Sequence, residues 1–204
     1  MCGAKLDMGV RLPLGVQIIF KFNYMNYLSL TIQIIIMLLF ITFAVFFLIQ
    51  FYNIVFRGYA PFISSKRKII EEIIAKLELK EDGIIYELGC GNAGFLRAAR
   101  KKFPKAQLVG FEYSFLPYII AQIQNSLSKS KIIIKKKDIF EVKLSEADVL
   151  YCYLNLLTMR KLEDKIKQEG KKGLKIISYQ FPLPNIKPEE VLEDKKDKIY
   201  FYSL

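Results

Sequence analysis

A glycine-rich turn between two apolar strands is the feature of this sequence best suited to bind a ligand. Residues 84–88 predict a buried strand, and glycines follow at Gly89, Gly91 and Gly94. Glycine lets the backbone turn sharply and approach a ligand where a Cβ atom would collide. A second apolar strand ends on Glu112, whose carboxylate can accept hydrogen bonds from both hydroxyls of a ribose. Together these residues predict half of a nucleoside-binding site.

Two further acids indicate which nucleoside ligand fits this turn. The glycine spacing also matches the dinucleotide fingerprint, in which an acid follows about 20 residues later. Glu87, however, places a carboxylate just before the turn, where it would repel a pyrophosphate but attract a cationic amino-acid group. A third predicted strand ends on Asp138, which is placed to accept from an adenine amino group. The three acids favour S-adenosylmethionine (SAM) over a nicotinamide dinucleotide; helix capping is the alternative role for them.

An uncharged apolar segment lies near the start of the chain. No charged residue occurs between Lys21 and Arg57, and residues 28–50 include 16 Leu, Ile, Phe and Val residues. As a helix this stretch would extend roughly 34 Å, enough to cross a hydrocarbon core of about 30 Å. A cleaved signal peptide has a shorter apolar core and a small-residue cleavage site. The segment therefore predicts a membrane anchor.

The anchor divides the chain into three predicted parts. These are an N-terminal segment without ordered structure (1–24), a single transmembrane helix (25–56) and one folded domain (57–204). Basic residues soon after the helix favour a cytoplasmic C-terminal domain. From Arg57 onward, 28 Lys and Arg residues stand against 19 Asp and Glu residues. This excess predicts contact with an anionic lipid surface or with nucleic acid, or it reflects only a lysine-rich solvated surface.

Residue types that are scarce in the sequence exclude several kinds of chemistry. The chain has no histidine, which removes the usual general base and the usual metal ligand. Cys2, Cys90 and Cys152 have neither metal-ligand nor disulfide spacing, and three cysteines fit a reducing compartment. No metal is therefore expected.

The elements that position these residues alternate between strands and helices. A first helix over about 66–79 is expected to be capped by Ser64 or Ser65. The predicted strands are 84–88, 108–112, 132–138, 147–154, 174–181 and a hairpin within 191–204, and the helices between them are 94–103, 115–128 and 157–169. This alternation predicts an α/β, Rossmann-like fold with a mostly parallel, doubly wound sheet. Ligands of such sheets lie outside the carboxyl ends of the strands, where the three acids are placed.

Five segments of the predicted domain occur in an order and spacing that is similar to a known family. They are Pro61-Phe-Ile-Ser-Ser, Tyr86-Glu-Leu-Gly-Cys-Gly-Asn-Ala-Gly, Gly110-Phe-Glu-Tyr, Asp148-Val-Leu-Tyr-Cys-Tyr-Leu-Asn and Ile177-Ser-Tyr-Gln-Phe-Pro. Over roughly residues 57–204 the chain resembles class I SAM-dependent methyltransferases. The last two segments resemble the small archaeal protein-lysine methyltransferases and the mitochondrial enzymes that methylate the ATP synthase c subunit or the adenine nucleotide translocase. The resemblance implies the class I methyltransferase fold, SAM as cofactor and a protein lysine as acceptor.

The resemblance also implies roles for the matching residues. The cofactor-binding set comprises Glu87, Gly89, Cys90 and Gly91 for the methionine end, Glu112 and Tyr113 near the ribose, and Asp138 and Ile139 at the adenine. The acceptor opening comprises Phe62 and Ser65 as substrate channel, with Tyr153 and Asn155 as catalytic residues. The family pattern Gly-x-Gly-Asp-Gly is altered here, because Asn92 and Ala93 replace its last two residues. Asn92 lacks the charge of aspartate, so a weaker cofactor affinity, or an inactive relative, is implied.

The fourth strand is expected to present the acceptor side of the site. Tyr151 and Tyr153 lie on it, and only one of them is expected to face the site, with Tyr153 favoured. Asp148 is expected at the start of the strand, far from the chemistry. Nucleobase N-methyltransferases usually have an Asn/Asp-Pro-Pro-aromatic tetrad after this strand, whereas Tyr153-Leu-Asn-Leu lacks both prolines. A nucleic acid substrate is therefore disfavoured.

These observations predict a membrane-anchored SAM-dependent methyltransferase that acts on lysine in membrane-embedded or membrane-adjacent proteins. Two alternatives remain open. One is a methyltransferase of a lipid or quinone-like molecule, which would use the same cofactor site and the same anchor. The other is a non-catalytic protein of the same fold that serves in membrane assembly.

Overall fold

The computed structural model describes residues 13–57 and 65–204. They belong to two compact units, residues 1–53 and 54–204. The predicted substrate-channel residue Phe62 and the possible cap Ser64 lie outside the described residues.

The described residues of the first unit form one long helix after Pro13. Helix α1 covers Leu14–Arg57, so residues 14–24 are helical rather than without ordered structure as expected. No proline interrupts the chain between Pro13 and Pro61, and proline is the residue that most strongly breaks a helix. The part Phe22–Ile49, 28 residues, is long and apolar enough to cross a membrane, a property shared by signal sequences near an N-terminus.

The second unit alternates helices and strands much as the sequence predicts. Its helices are α2 (Arg67–Lys76), α3 (Gly94–Lys102), α4 (Phe115–Ser128) and α5 (Leu156–Glu169), with a short 3₁₀ helix at Ile139–Glu141. Its strands are β1 (Ile84–Leu88), β2 (Gln107–Glu112), β3 (Ile133–Lys136), β4 (Val149–Cys152), β5 (Lys175–Tyr179), β6 (Glu190–Asp194) and β7 (Asp197–Ser203).

The seven strands form one mostly parallel sheet in the order β3-β2-β1-β4-β5-β7-β6. Strands β1 to β5 are parallel, whereas β7 runs antiparallel to β5 and pairs with β6 as a hairpin. We call the edge at which β1 to β5 end the carboxyl edge. The strand order reverses between β1 and β4, which is where α/β sheets bind their ligands. The predicted fold class is confirmed.

Helices cover both faces of the sheet, so the central strands β1, β2, β4 and β5 are buried on two sides. Helices α2, α3 and α4 enclose one cluster that includes Ile73, Leu96 and Tyr151. Helix α5 encloses the other, with Leu162 and Leu150 among its fully buried members. Burying one such aliphatic side chain contributes about 1.5–3 kcal/mol. These two layers fix the positions at which the strands end.

The start of α2 differs from the prediction. Its N-cap is Lys66, whose side chain makes no capping hydrogen bond, and the backbone N–H of Ile70 bonds to the Lys66 carbonyl at 3.1 Å. The expected cap Ser65 instead places its hydroxyl 2.7 Å from that of Tyr151. The cap prediction for Ser65 was wrong because a buried tyrosine hydroxyl requires a hydrogen-bond partner.

Candidate active site

The glycine turn after β1 is bound directly to the end of β2. The N–H groups of Gly89 and Cys90 both donate to the carbonyl of Phe111 at 2.9 Å. Gly89 and Gly91 have φ angles of 71° and 53°, a region that residues with a Cβ atom rarely adopt. A Cβ atom on Gly89 would also lie 2.9 Å from the Leu154 side chain. The turn therefore requires glycine at both positions.

Glu112, at the end of β2, holds the same turn from its other side. One carboxylate oxygen accepts from the N–H of Gly91 at 2.9 Å and the other accepts from the N–H of Ser114 at 2.7 Å. Glu112 is buried, with only 8% of its surface exposed to solvent. A carboxylate has about four acceptor positions, so these two bonds leave capacity for ribose hydroxyls. Glu112 thus has both a structural partner and the position predicted for a cofactor ligand.

Glu87, at the end of β1, is a buried acid beside the turn. It is 6% exposed, and among the described residues its Oε2 atom has no hydrogen-bond partner. Burial raises the pKa of Glu87 well above its usual value, while a backbone hydrogen bond near Leu96 and the charge of Arg97 act in the opposite direction. An unpartnered buried carboxylate oxygen is costly unless a ligand pairs with it. The ammonium group of SAM would supply that pairing, so the residues present fit this cofactor.

The remaining predicted cofactor residues also lie at the carboxyl edge. Asp138 follows β3 and accepts from the N–H of Phe140 at 3.0 Å, which caps the short 3₁₀ helix. Ile139 is 8% exposed and packs in the core, whereas Tyr113 is exposed just after β2. The capping role considered for these acids thus exists at Asp138, alongside the position expected for an adenine contact.

The altered positions of the turn have local roles. The Asn92 side-chain oxygen accepts from the N–H of Gly94 at 3.2 Å, and the Asn92 carbonyl accepts from Arg97. Ala93 is fully buried and has a φ of 56°, a conformation that costs a residue with a Cβ atom about 1–2 kcal/mol. Asparagine therefore preserves the start of α3, while alanine introduces backbone strain.

Two tyrosines of the β4 segment lie on one face of the sheet. Tyr151 is buried with its ring 3.9 Å from that of Phe95, and Tyr153 packs against the same cluster with its ring 4.4 Å from that of Tyr179. The two tyrosines do not alternate between faces, because residues two apart in an extended segment point to the same face. That Tyr153 is the one that faces the acceptor stays a prediction. Their depth differs: burial of Tyr151 is nearly complete, whereas Tyr153 is half-buried at the carboxyl edge.

Asn155 begins the helix that follows β4. Its side-chain oxygen accepts from the N–H of Thr158 at 2.8 Å, which is the N-cap bond of α5. Asp148, at the opposite end of β4, accepts from the N–H of Ile84 at 2.8 Å and pairs with Lys171 at 2.6 Å. Asp148 is therefore at the amino edge, remote from the glycine turn, as predicted.

Asp197 is a residue at the carboxyl edge that the sequence reasoning missed. Its carboxylate accepts from the hydroxyl of Tyr179 at 2.6 Å, from the Gln180 amide at 2.9 Å and from Lys66 Nζ at 2.7 Å. These hydrogen bonds, that from Lys66 foremost, lower the pKa of Asp197. Gln180 has a φ of 71°, so the end of β5 is held in an uncommon backbone conformation. In the sequence, Asp197 resembles an ordinary hairpin-turn acid, and only the antiparallel β5–β7 pairing places it here.

The fold and the site define the class of this protein. The structure is similar to an RNA methyltransferase from Salinibacter ruber, solved in complex with S-adenosyl-L-homocysteine, with a TM-score of 0.66 and 20% identity over 69% of this chain and 93% of that chain. A precorrin-6y C5,15-methyltransferase from Geobacter metallireducens GS-15 matches with a TM-score of 0.59 and 13% identity over 70% and 90% of the two chains. Both comparisons show that the chain has the fold of these methyltransferases.

The family can be stated more narrowly from the sequence. The model of the ANTKMT methyltransferase domain matches residues 87–190, just over half of the 204 residues. The chain belongs to this family, and its cofactor is SAM. These findings confirm the predicted family, enzyme class and cofactor.

Two proteins with similar sequences are lysine N-methyltransferases. A protein-lysine N-methyltransferase from Saccharolobus islandicus is 27% identical over 137 residues, which are 66% of this chain and 85% of that protein. The adenine nucleotide translocase lysine N-methyltransferase of Mus musculus is 22% identical over 158 residues, 76% of this chain and 67% of that protein.

Proposed function

We propose that this protein transfers the methyl group of SAM to the side-chain amine of a lysine in a protein, from a domain tethered to a membrane. The observation that supports the cofactor half is the Oε2 atom of buried Glu87 beside the glycine turn, which has no hydrogen-bond partner within residues 13–57 and 65–204. The choice of lysine is supported by the two relatives, which are both lysine N-methyltransferases.

In the proposed reaction, the protein chiefly positions the acceptor lysine against the cofactor and excludes water from both. Bound SAM supplies a methyl group on a sulfonium centre that is primed to leave. The acceptor lysine must reach the methyl group as an uncharged amine, although the reference pKa of that amine is about 10.4. Burial in a narrow apolar opening lowers that pKa, because the charged form loses its solvation. SAM held by Glu87, Glu112 and the turn would supply the methyl carbon to the neutral amine, and the sulfur would keep the electron pair of the broken carbon–sulfur bond as a neutral thioether. The methylated nitrogen would then be an ammonium group, which can lose its proton to solvent.

The residues proposed for these steps lie around the carboxyl edge. Glu87, Glu112 and the turn hold the cofactor, and Asp138 with Ile139 borders the adenine. Half-buried Tyr153 lines the acceptor opening together with Ser65. Asn155 contributes in the proposal by holding the start of α5, since its side-chain oxygen is bonded to the Thr158 N–H.

The membrane half of the proposal is supported by α1. A 28-residue span within it is long and apolar enough to cross a bilayer, and basic residues follow it from Arg57 onward. By the positive-inside tendency, we propose that the folded domain lies on the cytoplasmic side. The acceptor would then be a membrane-embedded or membrane-adjacent protein with an accessible lysine.

The experiment is methyl transfer by the full chain, reconstituted with native membranes and SAM labelled in the methyl group. Label in a protein band, recovered as methyl-lysine after acid hydrolysis, is the expected result. Label that extracts into organic solvent would overturn the lysine assignment in favour of a lipid or quinone-like acceptor. Calorimetric binding of S-adenosylhomocysteine (SAH) without any transfer would favour the non-catalytic alternative. Tyr153→Phe is the matched variant, expected to lower turnover while SAH still binds.

A further inference from the structure

Helix α4 differs in composition from the other helices of the folded domain. Its 14 residues, FLPYIIAQIQNSLS, contain no charged residue. Helix α5 has the same length and contains seven, in the sequence LLTMRKLEDKIKQE. Both helices lie on the outside of the sheet, and an outer helix ordinarily presents charged side chains to water. The uncharged α4 therefore requires an explanation.

The exposed side of α4 is mainly apolar, with Ser126 and Ser128 exposed at its end. Leu116, Ile123 and Leu127 are 47%, 54% and 79% exposed, and their spacing of seven and four residues places them on one stripe of the helix. Ala121 is the one fully buried residue of α4, and it projects on the opposite side. Phe115, 65% exposed, extends the apolar surface at the start of the helix. We call the side chains of Phe115, Leu116, Ile123 and Leu127 the α4 surface.

Five lysines, with no acidic residue among them, follow α4 in the sequence, and one of them contacts the α4 surface. Between Glu112 and Asp138 the chain has five lysines and no Asp or Glu. Lys136 Nζ lies 5.2 Å from the centre of the Phe115 ring, so cationic and apolar groups meet at the start of the helix. The five lysines are Lys129, Lys131, Lys135, Lys136 and Lys137. Affinity for a membrane interface increases with the apolar area that can be buried and with electrostatic attraction to anionic lipid, and this part of the surface offers both.

We propose that the α4 surface rests on an anionic lipid surface and orients the folded domain there. The proposal rests on the membrane half of the proposed function. Lipid is favoured over a second copy of the chain, because a symmetric contact through α4 would bring lysines against lysines. It is favoured over nucleic acid, because phosphate contacts give no reason to expose a stripe of leucine and isoleucine.

Contact of α4 with lipid would restrict which acceptor lysines can reach the site. Helix α4 begins three residues after Glu112, at the carboxyl edge that contains the glycine turn. A domain lying on α4 would hold this edge close to the lipid headgroups. The lysines within reach would be those near the membrane interface, which narrows the substrate class to membrane proteins with such a lysine.

The test is electron paramagnetic resonance on the full chain in nanodiscs that contain phosphatidylserine and phosphatidylcholine. A nitroxide label is attached at Leu127→Cys on α4, and in separate samples at Gln168→Cys on α5 and Ile35→Cys in α1. Cys2→Ser removes one native thiol, and the other two, Cys90 and Cys152, are buried. One chain per disc is used, so that contacts between copies do not contribute. Collision with oxygen, which enriches in lipid, is compared with collision with a water-soluble nickel chelate.

The expected result is a several-fold higher ratio of oxygen to nickel collisions at Leu127→Cys than at Gln168→Cys, reduced in discs of phosphatidylcholine alone. Equal, water-like ratios at the two positions would overturn the proposal. So would protection of Leu127→Cys from both reagents, which indicates contact with protein. Ile35→Cys separates the two proposals. A lipid-like collision ratio at Ile35→Cys together with a water-like ratio at Leu127→Cys refutes only the α4 contact. A water-like ratio at Ile35→Cys refutes the membrane anchor itself.

Discussion

The Glu112 carboxylate accepts a hydrogen bond from the backbone N–H of Gly91 at 2.9 Å. The acid that ends β2 therefore holds the turn that follows β1, across 21 positions of sequence. Its second oxygen fixes the chain on its own side through Ser114. Turn geometry depends on this side chain, and in the proposed function cofactor recognition depends on it as well, so a substitution there is expected to change both.

Replacement of Glu112 by alanine is expected to abolish SAH binding and also to destabilise the domain. Leaving a buried donor without a partner costs about 1–3 kcal/mol, and two backbone N–H groups lose theirs. For a domain of this size each kcal/mol lowers the midpoint of thermal unfolding by about 2–4 °C. Unfolding is followed on the full chain in detergent, in a Cys2→Ser background, by reaction of the buried Cys90 and Cys152 thiols with a fluorogenic maleimide.

Glu71→Ala is the control for this experiment, since Glu71 is an exposed acid on α2 paired with Arg67. It is expected to leave SAH affinity unchanged and the unfolding midpoint nearly so. Wild-type SAH affinity in Glu112→Ala would contradict the assignment of the cofactor site.

Gly110→Ala is expected to destabilise the domain, because the added methyl group would collide with side chains of the glycine turn and of α3. A Cβ atom there would lie 2.8 Å from the Cys90 sulfur and 3.1 Å from a Leu96 methyl group. Overpacking of this kind costs about 1–3 kcal/mol. The same thermal assay measures the loss, and SAH titration measures the displacement of the turn.

Cys90→Ala supplies the matched rescue, because it removes the sulfur that collides with the new methyl group. The double variant is expected to recover part of the unfolding midpoint but not all, since the Cβ atom of Cys90 would still lie 3.0 Å away. No rescue at all would show that the strain arises elsewhere.

Much of the fold could be predicted from the sequence, because its signals are local. The strand β1 and the helix α4 have the predicted bounds, and the predicted closing hairpin is present as β6 and β7. Buried parallel strands have continuous apolar runs that stand out between charged helices. The start of α2 was harder to predict, because the partner of Ser65 lies 86 residues away in the sequence, at Tyr151.

The site could be predicted where it depends on strand ends, and not where it depends on pairing between distant segments. Glu87 is the penultimate residue of β1 and Glu112 is the last residue of β2, so the sheet alone brings them to one edge. Asp197 reaches that edge only because β7 runs antiparallel to β5, and nothing in the sequence specifies its contact with Tyr179. The roles of Tyr153 and Asn155 in methyl transfer remain predictions for the experiments above and below.

Asn155 offers a way to separate helix capping from catalysis. Asn155→Ala removes the acceptor for the Thr158 N–H and is expected to cost about 0.5–2 kcal/mol of stability. Asn155→Ser retains an N-cap acceptor on a shorter side chain, so it is expected to preserve most of the stability. The measurements are the thermal midpoint and the turnover number of each variant.

If Asn155 acts only through the cap, Asn155→Ser keeps turnover near that of the wild type. A large loss of turnover in a stable Asn155→Ser protein would instead support direct contact of the amide with the acceptor amine. A stable, fully active Asn155→Ala protein would contradict both roles.

Glu87→Gln is expected to stabilise the cofactor-free protein while weakening SAH binding. Burial raises the pKa of Glu87 above its ordinary value of 4.5, so the folded state holds a proton that the unfolded state releases. Stability therefore falls as the pH rises from about 4.5 through the folded-state pKa and is level above it. Glutamine is neutral throughout, so this part of the pH dependence of the unfolding midpoint is expected to vanish in the variant.

Cofactor binding should show the opposite dependence on pH. An ammonium group next to Glu87 favours the ionised carboxylate, so SAH affinity is expected to rise with pH through the folded-state pKa, and binding releases a proton. Calorimetry in two buffers of different ionisation enthalpy measures that release in the wild type and its loss in Glu87→Gln. Glu78→Gln is the surface control, expected to change neither quantity. Proton release that persists in Glu87→Gln would assign the titrating group elsewhere, because glutamine at this position has no proton to give up in this pH range.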